Sequence, residues 1–85
     1  MPIDKALDAI SSGVARLLRE EREKRGLSLN ALAQMTGLSR QTISYVEQEV
    51  QSPTLDTLLR ITVGLEADLG EIVQRATKEA SMKKK

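Results

Sequence analysis

"LAQMTGLSRQTISYVE", Leu32 to Glu47, decides the fold. It reads as two short helical patterns with almost nothing between them. The first buries Leu32 and Ala33, with Leu29 near its start, and the second buries Ile43 and Val46, three residues apart. Thr36-Gly37-Leu38-Ser39 joins them. Gly37 can take the positive φ that reverses a chain in so few residues. Leu38 is an apolar plug, Ser39 is a good N-cap, and Ala33 is small where two helices must cross closely. These features predict a tight helix-turn-helix.

Burying Ile43 and Val46 dictates what the second helix shows to solvent. Arg40 and Ser44 are four apart, as are Gln41 and Tyr45, so the four share one face. A short helix held by its partner fits a DNA major groove, about 12 Å wide, and presents such side chains to base edges. Arginine pairs with guanine and glutamine with adenine. Serine is permissive, and tyrosine offers a ring to a thymine methyl or a hydroxyl to phosphate.

The rest of the chain is read outward from this motif. Residues 3 to 18 place Ile3, Leu7, Ile10, Val14, Leu17 and Leu18 at spacings of three and four. This predicts a continuous or nearly continuous helix from about Ile3 or Asp4 to Lys24, with Gly13 tolerated at about 1 kcal/mol. Gly26 stops it, after Lys24 and Arg25, which suit a helix C-terminus. Ser28 caps the helix from Leu29 to Met35, and Ser39 the one from Arg40 to about Gln48. Ser52-Pro53-Thr54 is a loop, with Thr54 capping a helix over Leu55 to Val63 that ends at Gly64. Asp68 opens a fifth helix carrying Leu69, Ile72, Val73 and Ala76. The expected architecture is all-α with five helices. Residues 1–11 are read as an N-terminal helical extension, 12–76 as the domain and 77–85 as a flexible, lysine-rich tail.

Composition narrows the chemistry. Eighty-five residues suit one domain. The chain has no cysteine and no histidine, so disulfides, thiolate metal sites and the commonest general base are absent. No metal site, cofactor or enzyme activity is expected. No apolar run approaches the roughly 20 residues that span a bilayer, and the N-terminus does not read as a signal peptide. A cytoplasmic protein without a membrane partner is expected. Net charge is only +1, yet none of the 12 acids falls within residues 24–46. A surface swept clear of carboxylates suits a polyanion.

"GLSLNALAQMTGLSRQTISYVEQEVQSPTLDTLLRITVGLEADLGEI", Gly26 to Ile72, resembles the helix-turn-helix of the Xre family, the phage repressor and Cro type. The matching positions are Leu32, Ala33, Gly37, Leu38, Ser39, Ile43, Val46 and Glu47, with Pro53 six residues further on. The resemblance covers about Ser12 to Ala76. It implies a compact, lambda-repressor-like DNA-binding domain whose third helix reads double-stranded DNA through Arg40, Gln41, Ser44 and Tyr45. It implies phosphate contacts from Asn30, Gln34, Ser39, Gln51, Ser52 and Thr54, and a structural ion pair between Arg22 and Glu47. Two positions depart from the family. Leu29 stands where glutamine often touches phosphate. Glu49 stands where glycine usually ends the third helix, so that end is expected to differ.

Helices four and five carry more apolar residues than one small core needs, and an exposed apolar patch suggests a partner. The resemblance implies a homodimer through Leu65, Leu69, Ile72 and Val73, and with it a palindromic operator bound by a transcriptional regulator such as a repressor. Ile3, Leu7 and Ile10 either pack on the domain or add to the dimer contact. The alternative function is an antitoxin or coactivator-like module whose main partner is another protein, such as a toxin or polymerase.

Overall fold

The computed structural model describes residues 2–82 and holds five helices: α1 (Ile3–Lys24), α2 (Leu29–Thr36), α3 (Arg40–Glu47), α4 (Leu55–Gly64) and α5 (Leu69–Met82). Among the described residues there is no strand. No helix of them is long and apolar enough to cross a membrane.

The expected caps form. The side chains of Ser28, Ser39 and Thr54 accept from the backbone N–H groups of Ala31, Thr42 and Thr57. Each satisfies a donor that a helix start leaves without an internal partner. α1 ends at Gly26 with φ 69°. There the N–H of Leu27 donates to the Arg22 carbonyl and that of Gly26 to the Glu23 carbonyl, a Schellman ending.

Two other endings differ from expectation. α4 does not turn at Gly64. Its left-handed residue is Glu66, φ 56°, and the Ala67 N–H closes onto the Thr62 carbonyl at 2.8 Å. Gly64 serves packing instead: a Cβ there would lie 2.7 Å from Thr36 Cγ2 and 3.2 Å from Leu32 Cδ1. α3 keeps the ending expected of glycine although Glu49 fills the position at φ 61°. The N–H groups of Glu49 and Val50 donate to the carbonyls of Val46 and Tyr45.

The structure adds detail at both ends of the chain. α1 runs unbroken across residues 11 and 12, so the N-terminal segment is the first turns of that helix. Gly13 permits this helix to cross α5 closely, because a Cβ there would sit 3.0 Å from the Cβ of Ala76. α5 continues to Met82, and Glu79 pairs with Arg16 of α1. The segment read as flexible is therefore helical as far as residue 82. Lys83 to Lys85 lie outside the described residues.

The core gathers Val14, Leu17 and Leu18 of α1, Leu32 of α2, Ile43 and Val46 of α3, Ile61 of α4, Leu65, and Ile72 and Ala76 of α5. Fully burying each large aliphatic side chain stabilises by about 1.5–3 kcal/mol. Leu29, Ala33 and Leu38 pack against this cluster, so Leu29 has an apolar role. Leu65 is 0% exposed and Ile72 2%. Both were expected in a dimer contact. They are instead enclosed by their own chain, which corrects that expectation. Leu69 is half-buried and Val73 stays exposed.

Candidate nucleic-acid interface

The site is α3 with its flanking turns. Ile43 is 0% exposed and Val46 5%, so the inward face of this helix is fixed as the apolar spacing requires. Arg40 and Gln41 are exposed at its start, and Ser44 and Tyr45 are half-buried. The expected group of four is thus brought together on one helix. Arg40 makes no ion pair among the described residues, so its cation is available to an anion.

Polar side chains on this helix are linked in pairs one turn apart. The Gln41 amide nitrogen donates to the Tyr45 hydroxyl at 2.7 Å. The Gln48 amide nitrogen donates to the Ser44 hydroxyl at 2.9 Å. Gln48 did not stand out in the sequence, although its i, i+4 spacing from Ser44 was the available signal.

The expected phosphate-contacting residues fall into two groups. Asn30 and Gln34 are exposed on α2, and Gln51 and Ser52 are exposed in the turn between α3 and α4. Ser39 and Thr54 are also exposed, but their hydroxyls already hold helix starts, at 3.0 Å from the Thr42 N–H and 3.1 Å from the Thr57 N–H.

Two arginines hold this frame from outside it. Arg22 of α1 meets Glu47, the last residue of α3, through Nε to Oε2 at 2.7 Å and Nη2 to Oε1 at 3.0 Å. Its Nη1 donates to the Leu27 carbonyl at 2.8 Å. The hydrogen bonds that Arg22 donates to Glu47 raise its pKa above the ordinary value, against the opposing effect of burial. Arg60 of α4 was not foreseen. Its Nη1 donates to the Thr36 carbonyl at 3.1 Å while Nε bonds Asp56 at 2.9 Å. It closes the end of α2 just where the chain turns at Gly37, φ 77°.

The electrostatics follow from these contacts. The acid-free stretch holds Lys24, Arg25 and Arg40. Arg25 lies 3.6 Å from Glu21 and 3.9 Å from Glu66, which partly offsets it. Glu49 adds an exposed acid in the turn after α3. Its carboxylate accepts from the Ser12 hydroxyl at 2.5 Å. Among the described residues no cluster of His, Cys, Asp and Glu could hold a metal ion.

Residues 18–72 match the helix-turn-helix family model HTH_3. The chain belongs to this HTH_3 family, the Xre or Cro/C1 type. It is 34% identical over 59 residues to the HTH-type transcriptional regulator SutR of Escherichia coli K12, which covers 69% of this chain and 33% of SutR. The chain therefore spans about a third of that relative. Among solved structures it resembles a point mutant of the restriction-modification controller protein C.Esp1396I, with a TM-score of 0.76 and 26% identity over 87% of this chain and 96% of the other. It also resembles an HTH_3 family transcriptional regulator from Vibrio cholerae, with a TM-score of 0.73 and 35% identity over 87% of this chain and 41% of that one. The all-helical, lambda-repressor-like fold is shared with both, and the family is one of DNA-binding transcriptional regulators.

Proposed function

We propose that this protein is a sequence-specific regulator of transcription that binds double-stranded DNA as a homodimer, with α3 in the major groove. The observation that carries the reading is the rigid outward presentation of Arg40 and Gln41, on a helix whose other face is locked by Ile43, Val46 and the Arg22–Glu47 pair. Arg40 and Gln41 read base edges, and Ser44 and Tyr45 complete that face. Asn30, Gln34, Gln51 and Ser52 flank it and touch phosphates, with Ser39 and Thr54 contributing as they cap.

The two-fold partner docks on exposed apolar surface. Leu55, Leu59 and Val63 recur every four residues on α4 and are exposed, and Met35 borders the groove beside Leu59 and Val63. Val73 of α5 adds to the available area. A homodimer places two copies of α3 about one DNA turn, roughly 34 Å, apart and matches a palindromic operator. The steric mechanism is occupancy of that operator by the dimer, which blocks or aids polymerase.

The test is selection of binding sites from a random DNA library by the purified protein, then titration of the winning site at two salt concentrations. A palindrome is expected, with log K falling steeply against log salt. A protein that enriches no motif and binds without salt dependence is an adaptor for another protein, and the regulator reading is then wrong.

A further inference from the structure

The hydrogen bond between Gln41 and Tyr45 has a consequence for which base is read. A glutamine amide carries two N–H donors and one carbonyl acceptor. With its partners free, it satisfies adenine with one donor to N7 and the acceptor toward the N6 amino group. It satisfies guanine with two donors, because guanine shows acceptors at both N7 and O6. Here one N–H is already given to the Tyr45 hydroxyl at 2.7 Å. One donor and one acceptor remain, which is the pattern adenine demands. Gln41 is exposed, whereas Tyr45, four residues on and one turn away, is half-buried and so the better anchored of the two. The phenol oxygen accepts in this bond, so its own proton stays available to a phosphate or a water.

We propose that Tyr45 is a positioning residue for Gln41, whose hydroxyl occupies one amide N–H and thereby sets Gln41 to read adenine and to reject guanine. This rests on the DNA-reading function proposed above. It differs from a direct base contact by Tyr45, because the effect of the phenol passes through Gln41.

The experiment uses the whole chain as wild type, Tyr45→Phe, Gln41→Ala and the double variant. Each is titrated against the selected operator and against the same operator with guanine at the adenine that Gln41→Ala identifies. Wild type is expected to prefer adenine. Tyr45→Phe should lose about five-fold or more of that preference while retaining its unfolding midpoint. Gln41→Ala and the double variant should be indistinguishable at that base. A Tyr45→Phe protein with undiminished adenine preference, or a double variant weaker than Gln41→Ala by the full effect of Tyr45→Phe, would overturn the proposal. A wild type that enriches no motif at all removes the parent reading instead, and the proposal with it. A second measurement needs no DNA. The two Gln41 side-chain N–H resonances should be well separated in wild type and move toward the values of a solvated amide in Tyr45→Phe. Resonances that Tyr45→Phe leaves in place overturn the proposal equally.

Discussion

Arg22 and Glu47 stand 25 residues apart in sequence and meet in two parallel hydrogen bonds of 2.7 and 3.0 Å. Their side chains are only 12% and 8% exposed. This pair ties the first helix to the last residue of α3, so it sets the angle at which α3 leaves the domain. Removing one partner leaves a nearly buried charge without its counter-ion. Glu47→Ala should lower stability by about 3 kcal/mol, since breaking a buried pair is far more damaging than the pair is stabilising. In a chain of this size that is about 15 °C in Tm. Arg22→Lys should recover little, because an ammonium cannot serve both carboxylate oxygens and the Leu27 carbonyl together. Thermal unfolding of the two variants checks both statements.

Gly64 and Thr36 meet at a close crossing of α2 and α4. A Cβ on residue 64 would fall 2.7 Å from Thr36 Cγ2, and Thr36 is 7% exposed and cannot swing away. Its hydroxyl is also committed, at 2.8 Å from the Leu32 carbonyl. Gly64→Ala should cost about 1–3 kcal/mol through overpacking, despite the better helix propensity of alanine. Thr36→Ser removes the methyl and keeps the hydroxyl. The pair Gly64→Ala with Thr36→Ser should therefore be more stable than Gly64→Ala alone. Denaturant midpoints of the three proteins decide this.

These two contacts mark the limits of what the sequence could show. The helix-turn-helix was legible because Leu32, Ile43 and Val46 define inward faces by local spacing, and Gly37 and Ser39 announce the turn chemically. Gly64 was misread because a glycine near a helix end looks the same whether it turns the chain or admits a neighbour. Leu65 and Ile72 were misplaced for a related reason. The resemblance implied a partner on the apolar residues of these helices, and only the three-dimensional packing shows that the same chain covers Leu65 and Ile72. Arg60 was invisible because its carbonyl partner at Thr36 lies 24 residues away on another helix.

Glu49 is held at φ 61°, a conformation that costs a side-chain-bearing residue roughly 1–2 kcal/mol. Glycine removes that strain but loses more entropy on folding, and it gives up the exposed bond to Ser12. Glu49→Gly should raise stability by about 0.5–1 kcal/mol. It also removes a carboxylate from the turn after α3, so binding to DNA should tighten. Ser12→Ala deletes the hydrogen bond alone, and its effect on both measurements should be small. A Glu49→Gly protein that unfolds earlier than wild type would show that the Ser12 contact outweighs the backbone strain.

Arg40 and Asn30 should separate the two kinds of DNA contact. Arg40→Ala removes the cation proposed to read a base, and it should cost about 1–3 kcal/mol at one operator position and relax selectivity there. Asn30→Ala removes the side chain proposed to touch phosphate near the start of α2, and it should weaken all sequences alike. Titration of each variant against the operator and single-base changes distinguishes them. Uniform loss in Arg40→Ala would move Arg40 from the base edge to the backbone.

Val63 and Leu65 are two residues apart and should respond oppositely to charge. Val63 is 73% exposed and Leu65 is 0%. A carboxylate at residue 65 would be buried without a partner, so Leu65→Glu should abolish folding. Val63→Glu places its charge in solvent in the single chain, and folding should survive. If α4 forms the two-fold contact, the same charge meets its own copy across the axis and is desolvated there. The double variant Leu59→Glu with Val63→Glu should then sediment as a folded monomer and lose the operator affinity that depends on both half-sites. A double variant that remains dimeric would move the contact away from α4, toward Val73 or the exposed Ile3 and Leu7 of α1.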